Sequence, residues 1–136
     1  MDDVFVAQLM SSDLETVSPD ALVEDAANRM LEREIGSVIV VNDDGSLAGI
    51  LTTTDFVKIV AERKPKDQTP VRKYMTADVL TTGAQEPIDD VAQRMLDAGI
   101  HHIPVVDEED GKPMGIVTTT DLAAYVSKIQ KPSKAD

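Results

Sequence analysis

The stretch Gly49-Ile50-Leu51-Thr52-Thr53-Thr54-Asp55 returns as Gly115-Ile116-Val117-Thr118-Thr119-Thr120-Asp121. In each copy apolar residues run into three threonines and then a carboxylate. The apolar part reads as the end of a buried strand, and Thr-x-x-Asp as the first turn of a helix. A strand entering a helix N-terminus leaves unpaired backbone N–H groups and a partial positive charge at the turn. Such a corner suits a phosphate or another anion. The rest of the chain is arranged to build two of them.

Working outward, the repetition extends well beyond this stretch. Met10 to Asp44 aligns with Met75 to Glu109 at an offset of 65, and after the extra Asp110, Gly45 to Val60 aligns with Gly111 to Val126. Over these 51 positions 19 are identical, far above chance, so the chain is an internal duplication. Two copies make a pseudo-twofold pair, not an array.

Each copy reads in the same order. Val4 to Met10 is a short lead-in, matched by Val71 to Met75. Leu14 to Val17 is a short strand, matched by Val79 to Thr82. A helix follows from near Leu22 or Pro87. Its apolar residues are Val23, Ala26, Ala27, Met30 and Leu31, then Ile88, Val91, Ala92, Met95 and Leu96. That spacing is one face of a helix. Glu24-Asp25 and Asp89-Asp90 fall in the first turn, where the helix dipole favours them. Ser37 to Val41 and His102 to Val106 read as strands buried on both faces. Asn42 to Gly45 and Asp107 to Gly111 are hairpin turns. The returning strands are Leu47 to Leu51 and Met114 to Val117, followed by helices from Thr54 to Glu62 and Thr120 to Lys128. The expected class is α/β (α+β): two tandem β-α-β-β-α repeats, residues 4–63 and 71–128. A linker at 64–70 and a flexible tail at 129–136 complete the chain. One such repeat buries too little surface alone. Two packed sheet to sheet solve this, with the two Thr-Thr-Thr-Asp corners lining the cleft between them.

Composition narrows the function. Hydrophobic residues make up 42% and aromatics 3%, so the core is aliphatic. With no cysteine, disulfides and thiolate metal sites are excluded. A net charge of −12 argues against nucleic acid or an anionic membrane as partner. No apolar run is long enough to span a bilayer, and no signal peptide is apparent, so a cytoplasmic protein is expected. No nucleophile–base pair or Walker loop is present, so the protein is not expected to be an enzyme. His101 and His102 are adjacent on a strand and point to opposite faces, which disfavours a metal site.

With these residues in view, the chain resembles a tandem pair of CBS domains, a Bateman module, from about Val4 to Lys128. The motifs are Met10 with Thr16-Val-Ser-Pro19, Ala26-Ala-x-x-Met30, Ile35-Gly-Ser-Val-Ile-Val-Val41 and Gly49 to Asp55. The second set is Met75, Thr81, Val91-Ala-x-x-Met95, Ile100-His-His-Ile-Pro-Val-Val106 and Gly115 to Asp121. The resemblance implies a non-catalytic energy or metabolite sensor that binds an adenine nucleotide (AMP, ADP, ATP or a related adenosyl ligand, with or without Mg2+). It also implies a homodimer and an effector protein not identified by the sequence. Asp55 and Asp121 match the residue that accepts the ribose hydroxyls, and Thr52 and Thr118 the hydroxyl that helps hold phosphate. Thr16 and Thr81 lie on the strand whose backbone edge reads adenine. His101 and His102 match phosphate-contacting positions, where the first copy has Gly36 and Ser37 instead. Ala84 also replaces the Pro19 of the first copy, so the two sites are expected to be unequal. Relatives form each site from both copies. Two alternatives stay open. Thr-x-x-Asp is equally the capping-box pattern, and the module can be read as a ligand-free dimerisation scaffold.

Overall fold

The computed structural model describes residues 4–62 and 68–130. Its elements fall into two equivalent sets. The first is α1 (Val6–Leu9), β1 (Thr16–Val17), α2 (Val23–Arg33), β2 (Ser37–Val41), β3 (Leu47–Thr52) and α3 (Thr53–Glu62). The second has a 3-10 turn (Val71–Lys73), then α4 (Ile88–Ala98), β4 (His102–Val106), β5 (Pro113–Thr118) and α5 (Thr119–Gln130). The class is the α+β arrangement expected, with two small sheets and their helices. α5 continues past the end expected at Lys128. The expected linker and tail lie mostly outside the described residues.

In the first repeat β1 runs parallel to β2, and β2 antiparallel to β3. In the second, β4 and β5 pair antiparallel. Both hairpins carry a register shift at the same place, after Val40 and after Val105. Tight turns at Gly45 (φ 87°) and Gly111 (φ 72°) connect them, a backbone region open to glycine.

The short strand expected at Val79 to Thr82 is reduced to one parallel bridge, Thr82 to Val105. The cause is Pro104. In the first repeat the Ile39 N–H donates to the Glu15 carbonyl at 3.1 Å. Pro104 stands at the counterpart of Ile39 and has no N–H to give Leu80.

Alternation along β2 separates two faces. Val38, Val40 and Leu51 pack under α2 and α3 with Val23, Ala26, Met30 and Ile59. Ile103, Val105 and Val117 do the same with Ile88, Val91 and Met95. The opposite faces carry Ile39 and Ile50 in one sheet and Ile116 in the other, and these look into the space between the repeats.

The lead-ins are exchanged. Val6 is fully buried in the core of the second repeat, with Val4, Leu9 and Met10 packed against the same cluster. Val71, Tyr74 and Met75 join the core of the first. Ser11 pairs with Ile116 through two backbone hydrogen bonds of 2.9 Å. Thr76 pairs with Ile50 in the same way, at 2.9 and 3.0 Å. Each sheet is thus extended at one edge by the segment that leads into the other repeat. This close approach explains the glycine that opens the repeated stretch. A Cβ on Gly49 would lie 2.5 Å from the Thr76 carbonyl oxygen, and one on Gly115 would lie 2.7 Å from Met10 Sδ and 3.0 Å from the Ser11 carbonyl oxygen.

Candidate functional site

Each repeated Thr-x-x-Asp forms a strand-to-helix corner. The Thr52 N–H donates to Asp55 Oδ2 at 2.8 Å, and its hydroxyl approaches the same oxygen at 3.3 Å. The Thr118 N–H donates to Asp121 Oδ2 at 2.9 Å, and its hydroxyl at 3.1 Å. The Asp121 N–H reaches back to Thr118 Oγ1 at 3.2 Å, completing a reciprocal capping box. The capping reading is therefore correct. It does not exhaust the carboxylates. Every side-chain contact described for either Asp uses Oδ2, so Oδ1 of each is available to a further donor. Asp55 is only 7% exposed, so its side chain is held in one orientation.

The crossed lead-ins place each corner opposite residues of the other repeat. One cleft, of about 350 Å³, sets Ile116, Thr118, Thr120 and Asp121 against Glu15, Glu34, Gly36 and Ser37. The other, of about 360 Å³, sets Thr52, Asp55 and Lys58 against Asp78, Leu80, His101 and His102. Clefts of this size are in the range that accepts a nucleoside-sized ligand. His102 lines both. Its ring crosses toward the first repeat, where a Cβ on Gly36 would stand 3.0 Å from Nε2. Gly36, a departure from the family pattern at sequence level, is the space that this imidazole fills. Burial and the neighbouring His101 push the His102 pKa below its ordinary value, with Asp121 pulling the other way. Its neutral form is thereby favoured at neutral pH.

Of the residues singled out in the sequence, the structure brings Ser37, His102, Thr118 and Asp121 to one cleft and Thr52, Asp55, His101 and His102 to the other. Thr16 and Thr81 line neither. Their neighbours do: Leu14 and Glu15 in one cleft, Val79 and Leu80 in the other. The carbonyls of Thr16 and Thr81 are occupied by arginines of the following helix, Arg29 at 2.9 Å and Arg94 at 3.0 Å. Arg29 also bonds Glu15 at 2.8 Å. Arg94 bonds Thr82 Oγ1 and Glu86 Oε1, both at 3.1 Å. Glu86 in turn accepts the Thr82 hydroxyl at 2.6 Å and the Gly83 N–H at 2.8 Å, and these bonds with Arg94 lower its pKa. Both arginines therefore hold the cleft-lining segment in place. The sequence carried a signal for them: they are identical at the repeat offset, yet lie off the apolar face of their helices. Lys58 was also legible, three residues after Asp55 on α3. Among the described residues no group of three metal-ligating side chains comes together, and no helix is long and apolar enough to cross a membrane.

This pair of crosswise clefts between duplicated repeats matches a known family. The profile of the CBS domain fits twice, over residues 6–62 and 71–128. The chain belongs to the CBS-domain proteins and carries the domain as a tandem pair. An uncharacterized 17.7 kDa protein from the bps2 3' region of Acidianus ambivalens is 34% identical over 118 residues, 87% of this chain and 70% of that protein. The L-aspartate semialdehyde sulfurtransferase of Methanosarcina acetivorans is 33% identical over 123 residues, which are 90% of this chain but 24% of that protein. The crystal structure of the CBS domain pair of protein MJ0100, in complex with 5'-methylthioadenosine and S-adenosyl-L-methionine, superposes with a TM-score of 0.86 at 27% identity. It covers 95% of this chain and 100% of that one.

Proposed function

We propose that this chain is a cytoplasmic, non-catalytic sensor that binds an adenosyl ligand in its inter-repeat clefts. The observation that carries this reading is the construction of each cleft. A Thr-x-x-Asp corner of one repeat faces the short-strand lead and the start of the following strand of the other, and the described side-chain contacts of each Asp leave Oδ1 unused. In the bound state the ribose hydroxyls donate to Asp55 or Asp121, whose two oxygens suit a cis-diol. The hydroxyls of Thr52 or Thr118 and the first-turn N–H groups of α3 or α5 hold the 5' substituent, helped by His101 and His102 at the Asp55 cleft. AMP, ADP, ATP, with or without Mg2+, and other adenosyl compounds fit this description. The adenosyl ligands of the MJ0100 pair support it. A ligand touching both repeats shifts the balance of their relative positions, and an effector protein reads the change.

Thermal denaturation with adenine and guanine nucleotides and S-adenosylmethionine, followed by calorimetry, tests the proposal. A specific ligand raises Tm by mass action. Asp55→Ala and Asp121→Ala together abolish the response in a chain that still unfolds cooperatively. A response unchanged in the double variant sinks the ribose assignment.

A second reading, the dimerisation scaffold, has its own observation. Leu31 and Leu96, equivalent residues of α2 and α4, are 77% and 76% exposed. Val57, Val60 and Val126 on α3 and α5 are exposed as well. Apolar side chains repeated at pseudo-equivalent positions fit a self-complementary contact with a second copy. The two readings are compatible, and light scattering at micromolar concentration reports the homodimer.

A further inference from the structure

The two clefts are nearly equal in volume, about 350 and 360 Å³, so size does not distinguish their ligands. Charge does. Compared position by position, the cleft of Asp121 has Glu15 where the cleft of Asp55 has Leu80, Glu34 where it has Gly99, and Gly36 where it has His101. Lys58 lines the Asp55 cleft, and its counterpart on α5 is Ala124. Glu15, Glu34 and the absence of Lys58 change the formal charge of the Asp121 cleft toward negative, and Gly36 takes away an imidazole. The acid pair Asp13 and Asp78 is common to both. One opposing change lies behind the wall: Arg33 stands at the counterpart of Ala98. Its guanidinium pairs with Asp13 and Glu15, as that of Arg29 does with Glu15, so these ion pairs offset the Glu15 charge and the contrast between the clefts rests chiefly on Glu34 and Lys58. Among the described residues, none that is basic other than His102 lines the Asp121 cleft.

Glu34 is the most telling of these residues. It closes α2 in the left-handed region (φ 54°), and it is the only non-glycine residue with positive φ among those described. The equivalent residue of α4 is Gly99 (φ 67°), the usual choice there. A side chain in that conformation costs free energy, so the carboxylate at this cleft mouth sits against the local backbone preference.

We propose that the two clefts sort adenosyl ligands by the charge of the 5' substituent. The Asp121 cleft takes a phosphate-free adenosyl compound, uncharged or cationic, and the Asp55 cleft takes a phosphate-bearing one. This rests on the adenosyl reading above. In the Asp121 cleft a 5' phosphate meets Glu34 with no facing lysine. An uncharged thioether or a sulfonium escapes this repulsion. In the Asp55 cleft Lys58 of α3 and the two histidines of the other repeat line the same space as the first turn of α3, and together they stabilise an anion.

The test uses the intact chain and two probes alike in adenine and ribose, 5'-methylthioadenosine and AMP, followed by calorimetry. Asp121→Ala removes the methylthioadenosine isotherm and Asp55→Ala removes that of AMP. Lys58→Ala, an exposed substitution that leaves the core alone, weakens AMP by about tenfold relative to methylthioadenosine. The double replacement Glu15→Leu with Glu34→Gly, which installs the residues of the other cleft, adds a second equivalent of AMP per chain. The proposal is overturned if the parent chain binds two equivalents of AMP, if one Asp substitution removes both ligands, or if Lys58→Ala weakens both equally. Absence of any response to either probe overturns the adenosyl reading itself, and this proposal with it.

Discussion

At the scale of single residues, the capping carboxylates and His102 set the local energetics. Asp55 and Asp121 close their helices, so replacing either with Ala costs about 1 kcal/mol of stability before any ligand is considered. Urea denaturation of the ligand-free variants measures this, and a loss near zero would mean that water caps the helix equally well. Glu34→Gly relieves a left-handed side chain and is expected to stabilise the chain by about 1 kcal/mol in the same assay. A destabilised variant would show that the Glu34 carboxylate makes compensating contacts. His102 titrates below the ordinary 6.5 because burial and His101 disfavour its charge. The unfolded chain therefore takes up the proton first as the pH falls. Stability tied to neutral His102 is complete above about pH 6.5 and is lost as pH falls through the folded value. Thermal unfolding from about pH 7.5 to about pH 5 shows this slope, and His102→Gln flattens it. An unaltered slope would assign the titration to other groups.

Among the elements, the strands and helices were legible because their periods are local. Val38 and Val40 alternate with Ile39, and Val23, Ala26 and Met30 repeat at helical spacing, so each segment announces its own type and buried face. The strand at Val79 to Thr82 was overestimated because the missing donor is on its partner. Pro104 lies more than twenty residues away, and strand pairing is not a local property. The Thr16 and Thr81 positions show the same limit. The sequence located the strand that borders each cleft, but not which of its residues turn inward. That depends on the arginines that claim the two threonine carbonyls. The glycines of the repeated stretch give a prediction at this scale. Gly49→Ala drives a Cβ into the Thr76 backbone oxygen, whereas Gly115→Ala meets chiefly the flexible end of Met10. The first is expected to cost roughly 1–3 kcal/mol and more than the second. Equal losses in chemical denaturation would contradict the exchanged pairing at Thr76.

For the whole molecule, the duplication made the two-repeat architecture readable, but not the exchange of lead-ins. Val4 to Met10 precedes the first copy as Val71 to Met75 precedes the second, and that pattern is the same whether each segment packs on its own repeat or on the other. Only tertiary packing decides. The exchange predicts that removing residues before Ser11 opens the core around Val91, Ile103 and Val117, in the half of the chain farther along the sequence. Amide hydrogen exchange reports it: protection is lost in β4 and β5 more than in β2 and β3. Loss confined to the first repeat would refute the exchanged arrangement.

The same crossing orders events during translation. Residues 4–11 leave the ribosome well before β5 (Pro113–Thr118), whose Ile116 pairs with Ser11. Until then the nascent chain carries Val4, Val6 and Leu9 with no surface to cover them. The first repeat is closed sooner, once residues 70–76 emerge to cover its core and pair with β3. A chain stopped between these two points presents a finished half with an uncovered apolar segment, and the docking edge for that segment exists only on a completed neighbour. Synthesis through β5 is thus a condition for hiding Val4, Val6 and Leu9.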